Sequence, residues 1–243
     1  MKIWKLIILG LFCVPSAVAQ DTNRALPKNT IKWNVIPIVT RTISLEYERA
    51  FAKKFSLNAV VAYTPKGDLP FKSMLIDITD ESAIINATRF GSFAMALEGR
   101  FYLSKKAAHS GFYLAPFLKY GTYSANTKVR YSDSTWDTGT IDVAGNINAF
   151  TAGIAVGIQW QLTKRIVLDW RIIGPSYGFS NGLLEGRRHL TADEQAYIRE
   201  QLDKLNELPV LNIKNDINAV GVKTTVNGAW AGIRTGLSIG FRF

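Results

Sequence analysis

The stretch AWAGIRTGLSIGFRF, residues 229–243, closes the chain and decides how the rest of it is read. Its odd positions are Ala229, Ala231, Ile233, Thr235, Leu237, Ile239, Phe241 and Phe243. Its even positions are Trp230, Gly232, Arg234, Gly236, Ser238, Gly240 and Arg242. Side chains alternate across a β-strand, so one face is almost wholly apolar and the other carries glycine, serine and two arginines. The segment also exceeds the ~9–11 residues that a tilted barrel strand needs to cross a bilayer. A strand so built meets two different solvents, one on each face.

Working back from the end, the same alternation recurs in seven earlier segments. Strand one, at 31–39, sets Trp33, Val35, Pro37 and Val39 against Lys32 and Asn34, and Pro37 fits only a strand end or a bulge. Strand two, 42–51, sets Ile43, Leu45, Tyr47 and Phe51 against Ser44, Glu46 and Glu48. Strands three (55–64), four (91–103), five (111–123) and six (147–162) follow the same rule. Strand seven, 166–177, places Leu168, Trp170 and Ile172 outward and Asp169 and Arg171 inward. Connections after strands two, four and six are tight, whereas 65–88, 124–146 and 180–227 are long. Alternating short turns and long loops is the arrangement of a bacterial barrel, with the turns periplasmic and the loops outside. A soluble antiparallel sandwich would also alternate, but its solvent face should carry charge. Here that face carries large aromatics, with Trp33, Tyr47, Tyr63, Trp160 and Trp170 toward the strand ends, as in interfacial girdles. The expected fold is all-β, an eight-stranded antiparallel transmembrane β-barrel over 31–243.

At 243 residues the chain has room for one large domain or two small ones. Lys2 and Lys5, the apolar run 7–14 and Ala17-Val18-Ala19 read as a secretory signal peptide, 1–19, cleaved before Gln20. Residues 20–30 would then form a short periplasmic leader. Cleavage removes Cys13, the single cysteine, and leaves neither a disulfide nor a thiolate metal ligand. It also removes Lys2 and Lys5 from a net charge of +10. For an exported protein that basic balance points to lipid head groups and lipopolysaccharide rather than nucleic acid. Hydrophobic residues make up 47%, yet the mean hydropathy is only +0.05. No apolar run of ~18 residues follows the leader, so helical spans are excluded. The outer membrane is the expected location.

A terminal strand of this pattern ending in Phe243 resembles the closing signature of bacterial outer-membrane barrels, which engages the barrel-assembly machinery. The run IKWNVIPIVTRTISLEYERAFAKKFSLNAVVAY, residues 31–63, is similar to the opening of a bacteroidete family of small outer-membrane barrels known chiefly as a domain of unknown function. The likeness falls on Asn34, Ser44, Leu45, Glu46, Tyr47, Glu48, Ser56 and Leu57, and the eight-stranded plan is also similar to OmpA- and OmpX-type barrels. The resemblance implies a fold and an outer-membrane location. It implies no activity.

Candidate functional residues fall into three groups. Glu46, Glu48, Glu98, Arg100, Lys119, Asp169, Arg171, Arg234 and Arg242 share the inward series. An eight-stranded barrel is only wide enough for its own side chains, so opposite charges there must pair. The expectation is a filled, salt-bridged interior, with a conducting or substrate-binding lumen as the alternative. Among the loops, Lys128, Arg130, Tyr131 and Trp136 form a charged and aromatic group suited to an extracellular protein or glycan. The stretch 71–85 has short apolar runs that would prolong strands three and four. Thr191 and Glu194 make a capping box for an amphipathic helix at about 192–207, with Ile198, Leu202 and Leu205 on one stripe. It would act as a lid or a docking element. The third group is an alternative: a lipid A acylase- or deacylase-like site at His189, with Ser180 and Asp193, although no recognised catalytic motif surrounds it. No metal or cofactor is expected. The role expected is a monomeric structural or surface-binding protein acting through its loops.

Overall fold

The computed structural model describes residues 27–79, 82–104, 110–133, 136–203 and 211–243. The expected signal peptide therefore lies outside the described residues, as does most of the leader. Among the described residues nine strands are present: β1 (Asn29–Asn34), β2 (Ile43–Ala52), β3 (Phe55–Asp68), β4 (Arg89–Tyr102), β5 (Gly111–Asp133), β6 (Trp136–Gln161), β7 (Ile166–Arg187), β8 (Leu211–Asn218) and β9 (Gly221–Arg242). They pair antiparallel in the order β1-β2-β3-β4-β5-β6-β7-β9-β8, and β1 also pairs with β9, from Thr30↔Arg242 to Asn34↔Ser238. Eight strands thus close a ring. The ninth, β8, hangs on the upper half of β9 as an edge.

Strand one is shorter than its alternation suggested. β1 stops at Asn34, and Ile36–Thr40 forms a 3-10 turn with proline in its first positions and Arg41 left-handed at its end (φ 59). Pro37 has no N–H to give a ladder, which is why the strand cannot run on to Val39. The stretch 71–85 likewise does not prolong the sheet. It forms two short helices, α1 (Lys72–Thr79) and α2 (Ser82–Ala87). The Thr88 hydroxyl donates to the Ile84 carbonyl (2.7 Å) and lies 2.8 Å from Thr127 Oγ1, tying the end of α2 to β5.

The larger differences lie at the same end of the ring. Residues 124–146, expected as a connection, are the paired tops of β5 and β6, from Ser124↔Asn146 to Asp133↔Trp136. Within 180–227 the difference is β7, which runs to Arg187; α3 spans Ala192–Asp203, inside the helix expected at about 192–207, and β8 and β9 form a hairpin, as the loose alternation of 210–226 suggests. These Ser-, Asn- and Gly-rich stretches read as loops on propensity, but ladder partners on both sides hold them extended, and context outweighs propensity in sheets. β4 leaves β5 at Asn126, so the ring is low on the β1–β4 side and tall on the β5–β9 side. α3 opens on the capping box: Glu194 N–H donates to Thr191 Oγ1 (3.3 Å) and Thr191 N–H to Glu194 Oε2 (2.8 Å).

One extra residue in β7 sets which face its upper half shows. Arg171 and Gly174 oppose Gly236 and Arg234 of β9, and Arg171 and Ile173 oppose Gly157 and Val156 of β6. Ile172 is the bulged residue against both neighbours. The outward series therefore shifts from Leu168 and Trp170 to Ile173, Tyr177 and Phe179, all exposed, and away from the expected Ile172.

Inside and outside are reversed relative to a water-soluble core. Glu48, Glu98, Arg100 and Arg242 are 0% exposed, while Leu45, Phe101, Leu118, Ile154 and Ile239 are each about half exposed. The apolar part of the interior is small: Tyr102, Tyr113, Ala115, Phe117 and Ala155.

Candidate functional site

The inward residues of the lower barrel converge on a single ion-pair network. Its carboxylates are Glu46 and Glu48 from β2, Glu98 from β4 and Asp169 from β7. Arg100 reaches all four: Nη2 to Glu98 (3.0 Å) and Glu46 (3.3 Å), Nη1 to Glu48 (3.4 Å) and to Asp169. Arg171 bridges Glu46 (3.1 Å) and Glu98 (3.0 Å), and Arg234 adds a third cation to Glu98 (2.7 Å). Lys32 joins Glu48 (2.5 Å) to Asp169 (2.6 Å).

Neutral donors take up the remaining lone pairs. Tyr102 OH donates to Glu48 (2.6 Å), Tyr113 OH to Asp169 (2.8 Å), Ser238 to Glu46 (3.1 Å) and Ser56 to Glu48. Asn58 spans Glu46 (2.9 Å) and Glu98 (3.1 Å). Two glycines make the room: a Cβ at Gly157 would lie 2.3 Å from the Tyr113 hydroxyl, and one at Gly240 2.5 Å from Lys32 Cγ. An ion removed from water costs several kcal/mol, and here each carboxylate recovers that through several charged and neutral partners at once. The network ties together strands β1, β2, β3, β4, β5, β7 and β9 as a cross-link through the lumen.

Of the nine inward residues expected, Glu46, Glu48, Glu98, Arg100, Asp169, Arg171 and Arg234 meet in this network. Arg242 is fully buried opposite Thr30, at the short-turn end. Lys119 stands apart, its ammonium 3.2 Å from Tyr123 OH. The nine do not include Lys32, although it is a cation on the polar series of strand one, and charge does not find Asn58, Tyr102, Tyr113 or Ser238. Parity does, because each lies on the polar series of its strand.

The other groups are placed differently. Lys128 is exposed on β5 rather than on a loop, 3.7 Å from Asp142. Arg130, Tyr131 and Trp136 fall on paired strand backbone, and their side chains lie outside the described residues. The same holds for the side chain of Leu202, and Leu205 falls wholly outside them; Ile198 is half-buried on α3.

The alternative catalytic set is not assembled. Ser180 is nearly buried, with its hydroxyl on the Gly228 carbonyl (3.3 Å). His189 is exposed beyond the end of β7, its Nδ1 2.8 Å from the Ala219 carbonyl. Seven strand residues separate Ser180 from Arg187, roughly 23 Å at the usual rise, which puts the hydroxyl out of reach of the imidazole. Asp193 is exposed in the first turn of α3. Among the described residues no cluster of His, Cys, Asp or Glu could hold a metal.

A polar row on the outer wall was not anticipated. Asn148, Asn181, Asn227 and Asn212 stand side by side in register across β6, β7, β9 and β8. Asn148 donates to Asn181 Oδ1 (3.4 Å), and a shallow groove of about 440 Å³ is lined there by Asn146, Asn148, Asn181, Leu183, Lys223 and Thr225.

Fold and interior together define a class: a closed antiparallel β-barrel whose lumen is filled by buried, mutually paired ions. Residues 6–182 match a family described as "Protein of unknown function (DUF3575)", and the chain belongs to that family. No curated protein and no solved structure matches it.

Proposed function

We propose that the protein is an integral outer-membrane barrel with a sealed interior, which binds a glycan of the cell surface through the sheet rising from one side of its mouth. The observation that carries this reading is the reversal of polarity. Large apolar side chains ring the outside while the ions are buried, and only a hydrocarbon surround stabilises that distribution. The dimensions agree. The outward apolar series of β9 runs from Ala229 to Phe241, about 40 Å along the strand and about 28 Å along the axis at a 45° tilt. Stacked Trp160 and Trp170 (6.5 Å) stand toward its lower edge and Phe150 and Phe179 (5.8 Å) at its upper edge, with the asparagine row immediately above. That is the sequence of aromatic girdle and head-group layer found at a membrane interface. The likeness to bacteroidete small barrels and to OmpA- and OmpX-type barrels, the signal peptide at 1–19, and assembly through Phe243 as a monomer all belong to this reading.

At head-group level the carboxamides and Lys223 suit an anionic sugar chain, such as the core of lipopolysaccharide. Carboxamides donate to and accept from hydroxyls, and the ammonium meets phosphate or carboxylate. The experiment has two arms. A cysteine at Lys214 in β8 should react with a membrane-impermeant maleimide on intact cells, and one at Lys164 in the β6–β7 turn only after permeabilisation. Equal labelling of both on intact cells would overturn the embedding. In the second arm, purified lipopolysaccharide should bind the detergent-solubilised barrel, and Asn148→Ala with Asn181→Ala should weaken binding at least tenfold; unchanged affinity would remove the groove from the proposal.

A further inference from the structure

Above the ion-pair network lies a second polar space that the network does not use. It is a cavity of about 20 Å³ bounded by Lys119 and Tyr123 of β5, Thr151 of β6, Ser176 of β7, and Trp230 and Arg234 of β9. The ring of Tyr123 stacks on that of Trp230 beside it, with centroids 5.4 Å apart and planes 28° from parallel.

The charges around this space do not balance. The four carboxylates below are shared by Lys32, Arg100, Arg171 and Arg234. Lys119 adds a further positive charge, and among the described residues no carboxylate lies within ion-pairing distance of it; its contact is the Tyr123 hydroxyl. Arg234 gives Nη2 to Glu98, but its Nη1 is fully buried and finds no protein acceptor. Its guanidinium carbon lies 4.5 Å from the centroid of the Phe117 ring, which cannot accept as an oxygen does. Ser176 commits its hydroxyl proton to the Gly232 carbonyl (3.2 Å), which leaves Thr151 and the Tyr123 hydroxyl as available neutral donors. Two cations in a low-dielectric space, one with an unused buried donor, call for a negative charge between them.

We infer that Lys119, Arg234 and Thr151 form a binding site for a monatomic anion, chloride under ordinary conditions, in the upper lumen. Size selects the class. A cavity needs about 10–15 Å³ to admit one water-sized centre, so 20 Å³ has room for one small centre, which a monatomic anion matches. The inference stands on the interior alone and does not depend on the surface-binding reading. Bound there, the anion neutralises the excess charge and joins β5 to β9 across the lumen above the network.

The test uses the full folded chain in a zwitterionic detergent at fixed ionic strength. Thermal unfolding in sodium chloride is compared with sodium gluconate, whose anion is too large for the cavity. The midpoint should be higher in chloride by several degrees, as expected of a ligand held well above its Kd. The difference should vanish in Lys119→Met and persist in Lys119→Arg. Crystals grown in bromide should show an anomalous peak in contact with Lys119 Nζ and Arg234 Nη1. That peak on the unaltered chain decides the matter even if Lys119→Met fails to fold. Equal midpoints in the two salts, an equal chloride effect in Lys119→Met, or no bromide peak in the cavity would each overturn the inference.

Discussion

Arg100 touches every carboxylate of the interior, so its removal isolates buried charge faster than any other single change. Arg100→Met keeps the volume but leaves Glu46, Glu48, Glu98 and Asp169 with fewer cations than charges. The expected loss is about 3–5 kcal/mol in a urea unfolding series followed by tryptophan fluorescence. Arg89→Met is the control: its pair with Asp68 (2.9 Å) is more than half exposed and should contribute less than about 1 kcal/mol. If both variants unfold at the same urea concentration, the network does not hold the barrel together. Gly157 tests the packing beneath it. A methyl there meets the Tyr113 hydroxyl at 2.3 Å and the Trp170 carbonyl at 2.7 Å, and only the tyrosine is free to move. Gly157→Ala should therefore cost about 1–3 kcal/mol by pushing Tyr113 off Asp169. Tyr113→Leu removes both the hydroxyl and the ring carbon Cζ, which lies 2.4 Å from that methyl, so the double variant should lose clearly less than the two single losses added together. Strict additivity in that cycle would mean the glycine is not there to admit the tyrosine.

The elements show what alternation can and cannot carry. It places the inward ions because period two is a property of the strand itself: Glu46 and Glu48 share one face of β2, and Glu98 and Arg100 one face of β4. It fails at Ile172, where one extra residue exchanges the faces; the local mark of that bulge is Gly174-Pro175 just beyond it, which alternation does not weigh. It fails again above Tyr123 and Tyr177, where polar strands are held by neighbours rather than by their own propensity. It cannot find the asparagine row, since Asn148, Asn181, Asn227 and Asn212 become neighbours only through registers spanning four strands. Nor does it see the cavity beside Lys119, which needs an unused nitrogen on Arg234 to be noticed. The bulge gives a sharp expectation. Deleting Ile172 restores regular pairing on both sides and leaves every other residue on its present face, so a folded barrel with a heat-modifiable gel band should persist. Deleting Phe179 instead turns nearly buried Ser180 and the seven strand residues after it over, and folding yield should fall severely. Equal yields from the two deletions would show that the upper half of β7 has no fixed facing.

At the scale of the whole molecule, the ring and the structure above it answer to different forces. The ring is closed by β1–β9 pairing and cross-linked by ions, whereas the tall side is sheet without a lumen. Its highest part is simpler still: the last β6–β7 pair is Asp142↔Arg187, so above that level β5 and β6 form a two-stranded hairpin. Arg188 steadies it by donating to the Thr140 carbonyl (3.1 Å). Isolated hairpins are marginal in water, so this tip should contribute little to the stability of the barrel beneath. Replacing residues 128–142 with Asn-Gly joins Thr127 to Val143, already a register pair, through a two-residue turn suited to the strand twist. The shortened protein should refold into detergent with an unfolding free energy within about 1 kcal/mol of the parent. On the proposed reading it should also keep its lipopolysaccharide affinity, because the groove at Asn148 and Asn181 lies below the cut. Loss of folding would mean that closure of the ring depends on the tip. Retained folding with lost affinity would move the glycan contact upward, from the asparagine row to the hairpin that carries Lys128.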